Sequence, residues 1–173
     1  PTQDIILGLY YMTREREEAK GHGKLFADLM QIQRAYHAGV LDLHAKVKVR
    51  IDHRVLNEKG EYEDEKGIME TTTGRALLSD ILPEGLPFAF INKALTKKVV
   101  SQIIDQCYRR LGTKATVVFA DQLMYMGFHY STRSGISIGI NDLIIPEEKA
   151  SIIADSEAQV KEIADQYAGG LVT

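Results

Sequence analysis

The sequence has few of the residues that usually reveal a protein's chemistry. Cys107 is the one cysteine among 173 residues, so no internal disulfide can form and a reducing, cytoplasmic compartment is the simplest interpretation. Tryptophan is absent and proline occurs four times. No apolar run reaches membrane-spanning length, and we expect no signal peptide. The sequence therefore predicts neither a disulfide scaffold nor a membrane protein.

Neither sign of charge is in large excess. The net charge is −3, with 45% hydrophobic and 26% charged residues, which is an ordinary composition for a soluble globular protein. A global attraction to nucleic acid is excluded, so any such role must be local or supplied by partners. The length suits one domain, or one domain with an appendage. The chain begins at Pro1 and stops just after a predicted helix, so we expect a piece of a larger protein.

Recognisable catalytic and metal-binding patterns are also missing. The five histidines have no paired metal-ligand spacing, and ordinary surface or core roles are expected for them. The acidic stretch at 61–65 lacks the tight loop of a hard-cation site, and "GHGK" at 21–24 lacks the spacing of a phosphate loop. No Ser–His–Asp or Cys–His arrangement stands out. We expect neither a catalytic residue nor a bound metal in this chain.

Alternating hydrophobicity predicts a small antiparallel sheet. The clearest strand is Leu43–Ile51, where valine and isoleucine alternate with Lys46, Lys48 and Arg50. An exposed hairpin loop is predicted over 57–67 and a return strand over 69–83. Residues 3–15 are predicted to be buried, either as a helical turn leading into a strand or as two short strands. "RSGISIGIND" at 133–142 predicts a strand whose bare face, at Ser137 and Gly139, another backbone could approach closely.

Helical periodicity predicts helices over 27–39, 90–112, 115–128 and 146–170. Asn92 is a plausible N-cap of the second of these, and Gly127 is expected to stop the third. In the last, Ile153, Val160 and Tyr167 recur every seven residues and form a narrow coiled-coil seam. This seam predicts one arm of an antiparallel helical hairpin. The fold class is therefore α+β, with helices packed on the sheet and a protruding C-terminal helix.

Basic residues fall into three groups, which are either ordinary solvated faces or phosphate contacts. They are the strand residues 46, 48 and 50, the helix residues 97 and 98, and the group 109, 110 and 114. Asp121 and Tyr125 are four residues apart on a predicted helix and so share a face. Together with Lys114 they offer an acceptor, an aromatic ring and a cation, which could hold a guanine nucleotide.

Seven stretches, in chain order, resemble landmarks of the bacterial RNA polymerase beta-prime subunit, most closely of the proteobacterial type. They are "PTQDIILGLYYMTRE", "LHAKVKVRI", "TTTGRALLSDILPEGLPF", "INKALTKK", "YRRLG", "VVFADQLMYMGFHYSTRSGISIGINDLIIPEEK" and "QYAGGLVT". The resemblance covers essentially the whole chain, and several of the stretches are long. It therefore implies a fragment of DNA-directed RNA polymerase, a nucleotidyltransferase that copies DNA into RNA.

The resemblance also implies a place for the chain within that enzyme. Residues 1–144 would form the pore domain beside the secondary channel, and residues 145–173 the first arm and tip of the rim-helix coiled coil. The catalytic Asp loop, which binds Mg²⁺, would precede the chain, so the fragment alone should be inactive. Implied partners are the rest of beta-prime, the beta, alpha and omega subunits, DNA and RNA, and secondary-channel factors of the Gre and DksA types.

Site residues follow from the same resemblance. The alarmone guanosine tetraphosphate would bind between this segment and omega, with Lys114 at a phosphate, Asp121 at the guanine edge, Tyr125 at the base, and Val118 beside them. The surround of the channel or active site would include Gln3, Arg75, Lys97 and Lys98. The stretch Thr71–Arg75 as a whole would belong to that surround. Structural roles remain open for this second group: Thr71–Thr73 as strand, Arg75 as a buried or interfacial ion-pair partner and the two lysines as helix surface.

Two other functions remain open. One is a docking platform, in which residues 146–170 hold regulators that reach into the channel. The other is an independent guanine-nucleotide-binding domain unrelated to polymerase. Tight guanine-nucleotide binding by this chain alone, weakened by Tyr125→Ala, would distinguish the last possibility from the others.

Overall fold

The computed structural model describes residues 2–57 and 60–170, which fall into two compact units, Pro1–Ile136 and Ser137–Thr173. The α+β class is confirmed. Helices are α1 (Asp4–Thr13), α2 (Leu29–His37), α3 (Thr73–Leu78), α4 (Lys97–Ser134) and α5 (Lys149–Ala168), and strands are β1 (Leu25–Phe26), β2 (Lys46–Leu56) and β3 (Tyr62–Thr72). Short 3-10 turns lie at Ser79–Ile81, Phe88–Phe90 and Ile140–Asp142.

The first element is a single helix, so the prediction of a strand within residues 3–15 is wrong. Leu9 and Met12 of α1 are fully buried, and α1 packs along α4. Glycines make this contact close: a Cβ added at Gly8 would collide with the carbonyl oxygen of Gly127, and one added at Gly127 would lie 2.7 Å from the carbonyl oxygen of Ile5. The dense apolar run is therefore explained by burial against another helix.

The sheet has β2 in its centre, paired antiparallel with β3 and parallel with β1. The predicted strand over 43–51 is confirmed in its core, since Val47, Val49 and Ile51 are buried. The parallel partner β1 makes the sheet mixed, an addition to the predicted antiparallel pair.

The loop predicted over 57–67 is too long, because β3 already begins at Tyr62. Charges of this polar ribbon are paired both along and across the strands: Lys66 Nζ lies 3.0 Å from Asp64 on the same strand and 3.7 Å from Asp52 on β2. These pairs hold the pKa of Asp64 below, and that of Lys66 above, their usual values. Residues 58 and 59 of the predicted loop lie outside the described residues.

The return strand predicted over 69–83 ends early, at Thr72. The hydroxyl of Thr72 accepts a hydrogen bond from the Arg75 backbone N–H at 3.3 Å and so caps α3. Ala76 and Leu78 of α3 are fully buried in the core. The β-branched run Thr71–Thr73 therefore crosses from strand into helix, because a threonine hydroxyl can cap a helix as readily as its branched side chain suits a strand.

The predicted helices over 90–112 and 115–128 are two segments of α4, and their predicted limits are wrong. The helix begins after Thr96, whose hydroxyl accepts from the Val99 N–H at 3.5 Å. Asn92 is not the cap: it accepts from the Thr71 hydroxyl at 2.8 Å and donates to the Glu70 carbonyl at 2.9 Å. Gly112, at φ 79° and ψ −176°, interrupts the helix without ending it. Gly127 lies inside the helix against α1, where a small residue is needed.

The strand predicted over 133–142 is wrong. The helix α4 continues to Ser134, and Gly135, with a left-handed φ of 65°, ends it. Among the described residues no strand pairs with this stretch, and Ile138 and Ile140 are 76% and 87% exposed. The Asp142 carboxylate accepts from the Gly139 N–H at 2.7 Å and closes a turn. The Gly139 N–H is therefore already hydrogen-bonded to a local side chain and is not free to donate to a neighbouring strand.

The predicted C-terminal helix is confirmed as α5, which begins at Lys149 after Glu148, so Pro146 is not its first residue. Ile153, Val160 and Tyr167 are all exposed on it. Pairing of this seam with a second helical arm stays a prediction, and residues 171–173 of the predicted arm tip lie outside the described residues. None of the described helices is long and apolar enough to cross a membrane.

Candidate functional site

One face of the second segment of α4 carries four predicted site residues. Lys114, Val118, Asp121 and Tyr125 are spaced by four, three and four positions, so they follow one side of the helix. All four are exposed, Val118 by 52% and Tyr125 by 70%. We call this surface the α4 face. The structure thus brings together a cation, an apolar contact, an anion and an aromatic ring in one row.

The opposite side of the same segment lies in the core. Phe119 and Leu123 are 1% and 2% exposed and belong to the main hydrophobic cluster. Their burial fixes the rotation of the helix about its own axis, and this rotation turns the α4 face outward. The predicted site therefore depends on core packing for its position.

A pocket of about 560 Å³ opens beside the N-terminal part of the α4 face. Lys114, Val118 and Gln122 line one side, and residues 80–83, which follow α3, line another. Asp121 and Tyr125 are not among its lining residues. Within residues 2–57 and 60–170, neither Lys114 nor Asp121 takes part in an ion pair. Both charges are therefore available to a ligand or a partner.

Arg75 ties α3 to the end of α1. Its Nε donates to the Thr13 carbonyl oxygen at 2.9 Å. The buried Thr13 hydroxyl donates to the Leu9 carbonyl at 2.7 Å and accepts from the Leu95 N–H at 2.9 Å. Burial lowers the pKa of the Arg75 guanidinium, with Glu15 acting in the opposite direction. No carboxylate within the described residues forms an ion pair with Arg75, so the structure gives it a packing role at this junction.

The other predicted channel residues lie at helix starts. Gln3 precedes α1 with an uncommon positive φ of 53°, and its carbonyl accepts from the Leu7 N–H at 3.0 Å. Lys97 and Lys98 are the first two residues of α4 and are exposed. In the described part of the chain, no hydrogen bond or ion pair joins any of these three to another predicted site residue.

Metal-binding chemistry is not apparent in the described ranges. They contain no group of three or more His, Cys, Asp or Glu side chains that could hold an ion. Cys107 is buried in the core.

A second cavity, of about 720 Å³, was missed by sequence reasoning. It lies among the end of α1, the end of α2 and the last turn of α4, and we call it the basic cleft. Its lining includes cationic and aromatic side chains, among them Tyr11, Arg14, Lys20, Tyr36, His37 and Arg133. They come from distant parts of the chain, and no motif joins them, so no signal in the sequence could have found the cleft.

Two comparisons with known proteins both find sequences of RNA polymerases. A sequence model of the family described as RNA polymerase Rpb1, domain 3, matches residues 1–143. The DNA-directed RNA polymerase subunit beta' of Coxiella burnetii (strain RSA 493 / Nine Mile phase I) is 55% identical over all 173 residues. That of Francisella tularensis subsp. novicida (strain U112) is also 55% identical over the same length. The chain spans about 12% of the length of each of these relatives.

Proposed function

The chain belongs to the RNA polymerase Rpb1 domain 3 family, and from this membership we propose that it is a segment of the beta-prime subunit of a bacterial DNA-directed RNA polymerase. The observation that carries the proposal is the 55% identity to bacterial beta' subunits over the full 173 residues of the chain. In the assembled enzyme the subunit would take part in joining nucleoside triphosphates into RNA on a DNA template. The segment would lie in the cytoplasm.

The role assigned to this segment is to border the secondary channel. Residues 1–144 form the pore domain, with Gln3, Arg75, Lys97 and Lys98 in the surround of the channel or active site. The Mg²⁺ ligands belong to another part of the subunit, so the isolated segment would transfer no nucleotide. Its partners are the rest of beta-prime, the beta, alpha and omega subunits, DNA and RNA.

A segment exchange tests this assignment. The 173 residues would replace the matching segment of the Francisella beta' subunit, and the chimeric subunit would be expressed with the other subunits of that polymerase. We expect it to co-purify with them and to make RNA that depends on template, all four nucleoside triphosphates and Mg²⁺. A replacement of equal length and shuffled sequence is the control. A soluble, folded chimera that fails to assemble would contradict the proposal.

A second proposal concerns the α4 face, which would bind guanosine tetraphosphate together with omega. The Lys114 ammonium can pair with a phosphate, and the Asp121 carboxylate can accept the two N–H donors on the edge of guanine. The Tyr125 ring can pack against the base, and Val118 adds an apolar contact. The exposure of all four side chains on one helix face and the open charges of Lys114 and Asp121 support this proposal.

We expect Asp121→Asn, in the assembled enzyme, to weaken guanosine tetraphosphate binding by about tenfold, because a charge-assisted pair of hydrogen bonds is lost. Binding of the radiolabelled alarmone and its inhibition of transcription would both be measured. Gln102→Ala, an exposed change on the first segment of α4, is the control and should change neither. Equal binding by the two variants would refute the assignment of Asp121.

The same measurement separates the enzyme-bound site from an independent nucleotide-binding domain. We expect the chain without omega to bind the alarmone much more weakly than the assembled enzyme, because the site would be shared with omega. Binding of equal strength by the chain alone would favour the independent domain.

The seam on α5 supports a docking role for residues 145–173. Ile153, Val160 and Tyr167 leave an exposed apolar row that a second helical arm would cover. With that arm, α5 would form the rim helices, on which secondary-channel factors of the Gre and DksA types would dock.

A further inference from the structure

We propose that the basic cleft binds a small nucleotide that carries two or more phosphate groups. The inference rests on contacts within residues 11–46 and on Arg133, and it does not depend on the proposed polymerase function or on the α4 face. The cleft has three walls: the end of α1 with the loop after it, the end of α2 with the turn after it, and the last turn of α4.

The charge of the cleft is opposite to that of the whole chain. Arg14, Arg16, Lys20 and Arg133 line it, against the two carboxylates of Glu15 and Asp42. The lining is therefore positive by two charges, apart from its histidines, in a chain whose net charge is −3. An anion would consequently be drawn to this part of the surface.

The two carboxylates in the lining already have cationic partners. Asp42 lies 2.9 Å from the Arg16 guanidinium, and Glu15 lies 3.8 Å from Lys46 Nζ. In the described part of the chain, Arg14, Lys20 and Arg133 have no such partner. Three cations from two of the three walls thus face one cavity uncompensated, an arrangement that suits several phosphate groups better than one carboxylate.

Neutral contacts hold Lys20 and Arg133 in place without cancelling their charge. Lys20 Nζ donates to the Gly39 carbonyl at 2.7 Å, which links the loop after α1 to the turn after α2. The Arg133 guanidinium donates to the Tyr36 hydroxyl at 3.2 Å and lies 5.9 Å from the centre of its ring. Because an ammonium has three N–H donors and a guanidinium five, each keeps donors for a ligand.

Aromatic rings distinguish a nucleotide from a simple anion. The rings of Tyr11 and His44 pack edge to face with centroids 4.7 Å apart, and those of Tyr36 and His37 are 5.8 Å apart. All four rings line the cavity and offer flat surfaces on which a base can stack. The volume of about 720 Å³ lies within the range of small-molecule sites, about 300–1,000 Å³.

The test uses the full-length protein that contains this chain, purified with its natural partners, and 2-azido-ATP as the photoreactive probe. We expect mass spectrometry to find the label on peptides containing Tyr11, Tyr36 or His44. Inorganic tripolyphosphate should protect these peptides, because it competes for the three cations, whereas adenosine should not. An absence of label on all three, or labelling that tripolyphosphate leaves unchanged, would overturn the proposal.

Paired variants make the test specific. Arg14→Gln with Lys20→Gln removes two cations but keeps polar side chains, and should reduce the labelling by about tenfold. Lys48→Gln with Arg109→Gln removes two exposed cations outside the cleft and should leave it unchanged. Equal labelling of the two double variants would refute the assignment. The proposal would also be refuted if an oligonucleotide cross-linked to the same peptides and ATP did not displace it. The occupant of the cleft would then be a polynucleotide.

Discussion

Gly8→Ala should destabilise the Pro1–Ile136 unit by on the order of 3 kcal/mol, at the upper end of overpacking costs. The added methyl group would meet the carbonyl oxygen of Gly127 and the backbone nitrogen of Ser131. Both atoms belong to the backbone of α4, so no side chain can rotate away to make room. The two helices would have to separate, which would loosen the buried contacts of Leu9 and Met12.

The measurement is the urea concentration at which half of the chain is unfolded, followed by circular dichroism. Gly67→Ala is the matched control, because a Cβ added there meets no atom within 4 Å. We expect its midpoint to stay close to that of the unchanged chain, while the Gly8→Ala midpoint falls. If the two variants unfold at the same urea concentration, the close contact between α1 and α4 is wrong.

Phe119→Ala should lower the free energy of unfolding by about 3–5 kcal/mol, the usual cost of removing a buried phenyl ring. Phe119 is one of the largest fully buried side chains and lies in the main hydrophobic cluster. Its loss would leave a cavity beneath the second segment of α4. The neighbouring Val118 is exposed on the α4 face, and Val118→Ala should cost less than about 1 kcal/mol.

The two substitutions on neighbouring residues should therefore have opposite effects on stability and on ligand binding. Thermal unfolding of each variant, measured together with guanosine tetraphosphate binding in the assembled enzyme, would compare them. Val118→Ala should weaken binding while leaving unfolding nearly unchanged, and Phe119→Ala should chiefly lower the unfolding temperature. Equal losses of stability would mean that the rotation of α4 about its axis is not the one described.

Elements whose pattern is local could be predicted from the sequence. The strand β2 follows from the alternation of Val47, Val49 and Ile51 with charged residues, and one buried face is enough to specify it. The helices α2 and α5 follow from their periodicity and their glycine ends. In each case the information lies within the element itself, so no distant contact was needed.

Elements that depend on distant packing could not be predicted. The run of apolar residues in α1 is compatible with either strand or helix, and α4, more than eighty residues away in the chain, decides between them. Gly127 has the low helix propensity of any glycine, yet it lies within α4 because the α1 backbone leaves no room for a side chain. Similarly, Asn92 caps no helix because its partners lie on β3.

The two candidate sites also differ in whether they could be predicted from the sequence. Asp121 and Tyr125 could be placed on one helix face from their spacing alone, because helical geometry relates residues three and four positions apart. Lys114 lay between two predicted helices, and the continuous α4 adds it to the same face. The cations of the basic cleft stand at positions 14, 20 and 133, and only the tertiary fold joins them. A site built from one element is visible in a sequence, whereas a site built from three requires a structure.

The interruption at Gly112 has an electrostatic consequence for the α4 face. Because Gly112 leaves helical geometry, the segment after it has an N-terminus of its own, with the Thr116 hydroxyl bonded to the Gly112 carbonyl at 2.8 Å. The aligned peptide dipoles of that segment place about half a positive elementary charge at this end. Lys114 adds its ammonium in the same turn, an unfavourable pairing of like charges in the free protein. A bound phosphate would neutralise both, so the bend in α4 would make this end of the row the natural place for the anionic part of a ligand.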